Sequence, residues 1–224
     1  YDIVSRDWSS DVCSSDLIMY ETEKLRVKSL EGKNIFFILS TGRSRSSWFG
    51  NLFTYKESFC YNEESRYITN WHELIDRIER RPEKFVGFED PELLHYIETL
   101  YDIFPNASYL LLERDKSEAE ASMKQWGAQD NYVIKQKYNR WHSDIRKLKK
   151  LLKDYASINF NDMDSMEEIK RVWEYLLPDC SFDIDRFNLL TALHIKGTLG
   201  YKPYESPANC LAAFQNLKKL KDIR

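Results

Sequence analysis

The sequence has no long apolar segment. None of its uninterrupted apolar runs approaches the roughly 20 residues that a membrane-spanning helix requires. The mean hydropathy of −0.59 is that of a chain rich in polar residues. We therefore expect a soluble protein that has no membrane span and is located in the cytoplasm.

An excess of charge of one sign is also absent. The 33 lysine and arginine residues nearly balance the 36 aspartate and glutamate residues, which gives a formal net charge of −3. Proteins that bind nucleic acid usually carry a broad basic surface, and this balance does not provide one. We expect no nucleic-acid partner, and any site for a small anion has to be formed locally.

Closely spaced cysteines are the third absence. The four cysteines are far apart and form neither a CxxC motif nor a Cys/His spacing typical of zinc sites: Cys13, Cys60, Cys180 and Cys210. Such spacing predicts reduced thiols rather than a disulfide framework. We also expect no metal centre.

The first 17 residues, YDIVSRDWSSDVCSSDL, differ from the rest of the chain because they show no periodicity and repeat the triplet SSD. Residues 7–17 resemble the translation of a sequencing-library adapter in one reading frame, and an ordinary disordered Ser/Asp-rich arm is the alternative. We expect residues 1–17 to be a non-native or disordered leader. The length of the remaining chain favours a single domain over residues 18–224.

Short apolar segments alternate with amphipathic helical segments beyond residue 17. The strand candidates are residues 34–39, 59–61, 84–88, 108–112 and 156–160. The helix candidates are residues 46–56, 71–81, 91–104, 117–126, 132–154, 166–177, 185–195 and 207–221. This alternation predicts an α/β fold with three layers, α/β/α, around a mostly parallel central sheet. In such folds, ligands bind at the carboxyl ends of the strands.

The turn after the first strand candidate, STGRSRSSW, concentrates side chains that bind phosphate. Gly42 permits a tight turn, Arg43 and Arg45 add two permanent positive charges, and Ser46 and Ser47 add hydroxyl donors at the start of a predicted helix. The turn is not a Walker A loop, because the pattern GxxxxGK[ST] is absent. A solvated basic turn is the alternative interpretation.

A second candidate anion site follows the fourth strand candidate. Arg114 stands at the end of this strand, and Ser122 follows eight residues later within a predicted helix. Because parallel strands end at the same edge of a sheet, both side chains could meet a second phosphate near the first turn. Arg114 taken alone is equally compatible with a surface ion pair.

These two segments together resemble the sulfotransferases that use 3′-phosphoadenosine 5′-phosphosulfate (PAPS). The turn is similar to their 5′-phosphosulfate loop, in which a glycine stands where this chain has Arg45, and Arg114 with Ser122 is similar to their 3′-phosphate motif. The segment between them, GFEDPELLHYIETLYDIFPNASYLLLERD, is similar to the bacterial K-D-P-R stretch, helix and strand. The resemblance covers residues 34 to about 126 and implies a P-loop-NTPase-like sulfotransferase fold.

The resemblance also implies a reaction and its participants. PAPS would be the co-substrate and 3′-phosphoadenosine 5′-phosphate (PAP) the product, without a metal, and the acceptor would be the hydroxyl or amine of a small molecule or glycan. It implies that Arg43 contacts the reacting bond and that Glu63 is the general base, with Glu64 and Glu89 as further candidates. The nucleotide-binding residues it implies are Gly42, Ser44, Arg45, Ser46, Ser47, Trp48, Arg114, Ser122, Lys196 and Gly197.

Several alternatives stay open at this point. Lys196 and Gly197 belong to KGTLG, which is similar to a K-G-x-x-G segment of cytosolic sulfotransferases, but a helix C-cap at Gly197 explains it equally well. Arg45 could point into the site or into solvent. Glu89 stands where bacterial relatives often carry lysine. The other functions to be considered are a P-loop nucleotide or small-molecule kinase and a degenerate nucleotide-binding protein without catalysis.

Overall fold

The structure is a computed structural model, and it describes residues 14–42, 44–125 and 131–192. Arg43 lies outside the described residues. So do Lys196, Gly197 and the helix predicted over residues 207–221. The predictions made for these residues therefore stay predictions.

Five strands and eight α-helices form the described part of the chain. The strands are β1 (Asn34–Ser40), β2 (Ser58–Asn62), β3 (Phe85–Glu89), β4 (Ser108–Glu113) and β5 (Ala156–Asn159). The helices are α1 (Ser14–Lys28), α2 (Ser46–Leu52), α3 (Trp71–Glu79), α4 (Ile97–Ile103), α5 (Lys116–Gln125), α6 (Asn131–Leu151), α7 (Met166–Leu176) and α8 (Ile184–Ala192). Short 3₁₀ helices cover Glu64–Arg66, Pro91–Tyr96 and Phe160–Asp162.

The five strands form one sheet in the order β2-β3-β1-β4-β5, and every pairing is parallel. The prediction of a mostly parallel sheet is confirmed. Because all strands run in the same direction, their carboxyl ends lie along one edge, which we call the carboxyl edge. The turn after β1 and Arg114 after β4 stand at neighbouring positions of this edge, since β4 pairs directly with β1.

Helices cover both faces of the sheet, as the three-layer prediction requires. Phe37 and Leu39 of β1 point to one face, where they pack in a buried cluster with residues of α3, α4 and α6. Phe36 and Ile38 point to the other face, where the buried cluster includes residues of α2, α7 and α8. Successive strand residues point to opposite faces, so a continuous apolar strand such as NIFFIL is buried on both.

Some helix boundaries differ from the predictions. Helix α2 ends at Leu52 instead of residue 56, because the Thr54 hydroxyl donates to the Gly50 carbonyl (2.9 Å) and accepts from the Cys60 N–H (3.1 Å). The segment predicted as one helix over 91–104 begins as the 3₁₀ helix Pro91–Tyr96 before α4. Asp90 caps this 3₁₀ helix, since its carboxylate accepts the Glu92 N–H at 2.9 Å.

Ser165 and Glu168 have the spacing of a capping box at the start of α7, but the box is only half formed. The Ser165 hydroxyl accepts the Glu168 N–H at 3.4 Å, as the pattern requires. The Ser165 N–H, however, donates to the Asp162 carbonyl (2.9 Å), and the Glu168 carboxylate accepts from Arg171 (2.9 Å). The local hydrogen bonds of the preceding 3₁₀ turn therefore replace the reciprocal half of the box.

Helix α1 begins inside the segment that the sequence sets apart as a leader. Residues 14–17 are helical, while the origin of residues 1–17 stays a prediction. No helix in the described part of the chain has the length and apolar character needed to cross a membrane.

Candidate functional site

The turn after β1 is held by hydrogen bonds of its own residues. The hydroxyl oxygens of Thr41 and Ser44 lie 3.1 Å apart, and both side chains are fully buried. Arg45 has φ 58° and ψ 27°, in the left-handed region, and its carbonyl accepts the first helical N–H bonds, from Trp48 and Phe49. Glycine adopts this conformation without strain, so the arginine at this position carries a backbone cost that a glycine would not.

The side chain of Arg45 reaches across the carboxyl edge to the segment after β5. Its Nη1 donates to Asp164 Oδ1 at 2.6 Å, and its Nη2 lies 3.4 Å from Oδ2. Its Cζ is 5.1 Å from the centre of the Phe160 ring. The two orientations expected for Arg45 were into the site or into solvent. Instead, its guanidinium is held by an acidic partner, Asp164, on a neighbouring loop.

Phe160 connects the two predicted anion motifs. The Arg114 guanidinium carbon lies 3.8 Å from the centre of the Phe160 ring, so both Arg45 and Arg114 contact the same aromatic side chain. Arg114 is half-buried, and its Nε is 3.8 Å from the carboxylate of Glu118 on α5. Both guanidinium groups therefore contact one ring, and each also has an acidic partner, Asp164 for Arg45 and Glu118 for Arg114.

Tyr138 of α6 forms a second connection between the motifs. Its hydroxyl donates to the Gly42 carbonyl at 3.0 Å and to the Ala119 carbonyl at 3.3 Å. Ala119 is on α5, one turn before Ser122. The first turn and the helix that carries Ser122 are therefore joined through one side chain.

Trp141, one turn further along α6, packs against Gly42. An ideal Cβ on Gly42 would lie 2.7 Å from Cη2 of the Trp141 ring. The ring itself is buried between Tyr138, at 5.1 Å, and His95, which is parallel to it at 6.0 Å. A side chain at position 42 would therefore collide with a ring that has little room to move.

His95 has a structural role beside the turn after β1. Its Nδ1 lies 2.6 Å from Asp144 Oδ2, and both side chains are almost completely buried. Burial lowers the pKa of His95, because it disfavours the charged imidazolium. The pair fixes the ring on which Trp141 stacks.

The remaining nucleotide-binding candidates differ in exposure. Ser46 is almost buried, whereas Ser47 and Ser122 are half-buried. The Trp48 ring is 3% exposed and packs against Phe187 of α8 at 6.2 Å. The Trp48 side chain therefore anchors α2 in the core, and a role in ligand binding stays a prediction.

The candidate general bases lie on the other side of β1. Glu63 follows β2 and is half-buried, and its N–H donates to the Glu89 carbonyl at 2.8 Å. Glu64 is almost buried and pairs with Arg77 at 3.1 Å, and burial raises its pKa. Glu89, at the end of β3, is fully buried. Since β2 is two strands from β1, Glu63 starts about 10 Å from the β1 backbone.

Asp90 connects the loops that carry these carboxylates. Its side chain accepts the Ser65 N–H at 2.7 Å as well as the Glu92 N–H at 2.9 Å. Burial raises the pKa of Asp90, whereas the two N–H donors favour its charged form. Among the described residues, no group of three histidine, cysteine, aspartate or glutamate side chains is arranged to hold a metal ion.

Arg186 of α8 binds the end of α2, the helix that follows the turn after β1. Its buried guanidinium donates to the carbonyls of Leu52 (3.1 Å), Thr54 (2.6 Å) and Asn51, at the carboxyl end of α2. These bonds satisfy carbonyls that have no partner within the helix. Arg186 therefore links the carboxyl end of α2 to α8.

Sequence reasoning missed several residues that shape the site. Tyr138 and Trp141 lie in a lysine-rich helix, most of whose sequence suggests a solvated face, although an apolar stripe at Tyr138, Trp141, Ile145 and Leu148 marks its buried side. Phe160 was included only as the end of a strand candidate. Asp164 and Arg186 have no local signal, since their partners are far away in the chain.

Comparison with known proteins gives a fold but no sequence family. No protein-family model matches the chain, and no curated protein sequence matches it. The solved structure of mouse sulfotransferase SULT7A1 in complex with PAP is similar over 78% of this chain and 69% of that chain, with 12% identity and a TM-score of 0.50. A sulfotransferase from Alicyclobacillus acidocaldarius matches 72% of this chain and 91% of its own, with 13% identity and a TM-score of 0.47. At 12% identity, the likeness to the mouse protein concerns the fold alone: the chain has an α/β architecture of the sulfotransferase type.

Proposed function

We propose that this protein binds PAPS and transfers its sulfuryl group to a hydroxyl or amine of a small molecule or glycan. One observation carries the proposal. The two motifs that the sequence marks as phosphate sites follow the paired strands β1 and β4, and their arginines, Arg45 and Arg114, contact the same ring of Phe160. The fold shared with sulfotransferases supports the proposal.

The donor set suits a nucleotide with two separate phosphate groups. Ser46 and Ser47 offer hydroxyls on the β1 side, and Arg114 and Ser122 offer a guanidinium and a hydroxyl on the β4 side. In this proposal the first pair holds the 5′-phosphate and the second pair holds the 3′-phosphate. Arg45 adds positive charge between them, and its ion pair with Asp164 keeps it at the edge.

PAPS supplies the activated sulfuryl group, so the protein has mainly to position the reactants and to stabilise charge. Sulfuryl transfer resembles phosphoryl transfer in having a loose transition state, in which negative charge grows on the leaving oxygen. We assign Arg43 to that oxygen, as the sequence motif suggests. The guanidinium stays charged at every physiological pH and needs no proton transfer to act.

The acceptor needs a general base, and we assign this role to Glu63. The carboxyl edge divides into an anion side, formed after β1, β4 and β5, and an acidic side, formed after β3 and β2. Glu63 belongs to the acidic side and is half-buried, so an acceptor can reach it. Glu64 is less suited, because Arg77 pairs with its carboxylate.

Ligand-induced thermal stabilisation tests the proposed function. PAP at about 100 times its dissociation constant should raise the melting temperature by roughly 5–10 °C, and ATP with Mg²⁺ should raise it much less. Arg114→Ala should remove most of this shift, because a charge-assisted bond to phosphate is lost. Arg80→Ala is the control, since Arg80 is exposed at the end of α3, at the opposite edge of the sheet.

The alternatives give different results in the same experiment. A larger shift with ATP and Mg²⁺ would favour a kinase and contradict the proposal. No shift with either nucleotide would indicate a degenerate protein. A shift with PAP followed by sulfate transfer from PAPS to an acceptor, lost in Glu63→Gln, would support both the reaction and the base.

Arg45→Gly should change the stability of the protein and its affinity for PAP in opposite directions. Glycine relieves the left-handed strain, and the lost ion pair with Asp164 is partly exposed, so the free energy of unfolding should rise by about 1 kcal/mol. The affinity for PAP should fall about tenfold, because one positive charge is removed. Chemical unfolding and calorimetric titration measure the two quantities. Unchanged affinity would remove Arg45 from the set of nucleotide-binding residues.

A further inference from the structure

We propose that Tyr138 is a positioning residue that sets the spacing between the two phosphate sites. This role rests on the proposed function, since it concerns how the same nucleotide is held. Tyr138 lies on α6, outside both sequence motifs, and its ring is fully buried. It therefore acts on the ligand through the backbone that it holds.

The hydroxyl of Tyr138 connects one atom of each motif. It donates to the carbonyl of Gly42, in the turn after β1, at 3.0 Å and to the carbonyl of Ala119, on α5, at 3.3 Å. A tyrosine hydroxyl has one proton, so the two carbonyls share a three-centre bond. Both oxygens must stay within hydrogen-bond distance of the same point, which restrains the distance between the turn and α5.

The position of the hydroxyl is itself fixed by packing. The Tyr138 ring contacts the Trp141 ring edge to face at 5.1 Å, and Trp141 lies between it and His95. Helix α6 also packs against α5 and against the 3₁₀ helix after β3. Buried side chains in a closely packed core occupy rotamer minima, so this packing holds the hydroxyl in place.

The distance between the two phosphate sites affects affinity because the two phosphates of the nucleotide are at a fixed separation. Once one phosphate is bound, the second meets its site at a high effective concentration only if the distance between the sites matches the ligand. Ala119 is one helical turn before Ser122, so a shift of α5 moves Ser122, one of the two proposed donors to the 3′-phosphate, relative to the turn at Gly42. Tyr138 thus contributes to the advantage of binding both phosphates together.

The arginine contacts on the other side of the site do not depend on this hydroxyl. Arg45 and Arg114 meet at Phe160, which follows β5, whereas Tyr138 approaches from α6 on the opposite face of the sheet. Each phosphate site should therefore keep most of its own affinity when the hydroxyl is removed, because Ser46, Ser47 and Arg114 do not lie on α5. The expected loss is largest for ligands that occupy both sites.

Calorimetric titration of Tyr138→Phe with three ligands tests this role. The ligands are adenosine 3′,5′-bisphosphate, 5′-AMP and 3′-AMP. The dissociation constant of the bisphosphate should rise about tenfold, because the restraint between the sites is lost, whereas the constants of the two monophosphates should change less than about twofold. The ratio between bisphosphate and monophosphate affinity is the quantity that a general loss of stability does not change.

Tyr109→Phe is a matched control. Tyr109 is equally buried, and its hydroxyl is also shared by two carbonyls, those of Phe104 (3.0 Å) and Leu100 (3.4 Å), near the start of β4 and far from the carboxyl edge. Tyr109→Phe should lower the free energy of unfolding by an amount similar to that in Tyr138→Phe. It should keep the wild-type ratio between bisphosphate and monophosphate affinity. Equal weakening of all three ligands in Tyr138→Phe, or no change in the ratio, would overturn the positioning role. A wild-type protein without preference for the bisphosphate would overturn the proposed function and this role with it.

Discussion

Gly42→Ala should abolish the stabilisation by PAP and lower the free energy of unfolding by about 1–3 kcal/mol. The new Cβ would lie 2.7 Å from Cη2 of Trp141 and 3.0 Å from Cζ3, closer than carbon atoms normally approach. The Trp141 ring is held by Tyr138 and His95, so the turn has to move instead of the ring. A displaced turn carries Ser46 and Ser47 away from the phosphate.

Adding Trp141→Phe to Gly42→Ala should restore part of the lost PAP binding. Trp141→Phe removes the far edge of the indole, which is the part that faces Gly42, so the double variant Gly42→Ala with Trp141→Phe should regain PAP binding relative to Gly42→Ala. Gly50→Ala in α2 is the control, because the nearest atoms that its Cβ would meet belong to the Asn62 side chain, at 3.4 Å or more. Thermal shifts with and without PAP measure the effect. Wild-type behaviour of Gly42→Ala would show that the turn tolerates a side chain against Trp141.

Gly87→Ala should lower the free energy of unfolding by about 3 kcal/mol or more, which is a larger loss than that expected for Gly42→Ala. Gly87 pairs with Phe36 in the register of β3 and β1, and the Phe36 ring lies over it. An ideal Cβ on Gly87 would be 2.0 Å from Cε2 and 2.1 Å from Cζ of this ring. Both residues are in the centre of the sheet, so neither strand can move away without breaking its neighbouring pairings.

Gly87→Ala is best measured beside a variant that makes room for the methyl group. Phe36→Leu removes the ring atoms that collide, and the double variant should unfold at a higher denaturant concentration than Gly87→Ala alone. Phe36→Leu by itself should lose stability, because it leaves a gap in the core. If Gly87→Ala were as stable as the wild type, the packing of Phe36 over β3 would be wrong. Because β1 and β3 carry the turn and Glu89, we also expect weaker PAP binding in Gly87→Ala.

The two sides of the carboxyl edge are relevant to different competing functions. Its anion side contains Arg45 and Arg114 around Phe160, and its acidic side contains Glu63 and Glu89. In the proposed sulfotransferase reaction, the first side would bind the nucleotide and the second side would bind the acceptor. A degenerate binding protein needs only the first side, so substitutions on the acidic side distinguish the two functions.

The elements of the fold were largely predictable because their signals are local. Apolar runs such as NIFFIL and SYLLL mark strands that are buried on both faces, and the observed β1 and β4 agree with them to within one residue. Asp90 before Pro91 predicts a helix start, and the Asp90 carboxylate caps it. Boundaries were less predictable where tertiary hydrogen bonds end a helix early, as Thr54 does for α2.

The sequence by itself determined where the strands lie, which residues are basic at their ends and therefore which two segments could meet phosphate. Only the tertiary structure decided that β1 lies between β3 and β4, and that Tyr138, Phe160, Asp164 and Arg186 complete the edge. The physical reason is distance along the chain: 96 residues separate Tyr138 from Gly42, and 119 separate Asp164 from Arg45. A hydrophobic pattern specifies that a side chain is buried, whereas its contacts are fixed only when both faces of the sheet pack together.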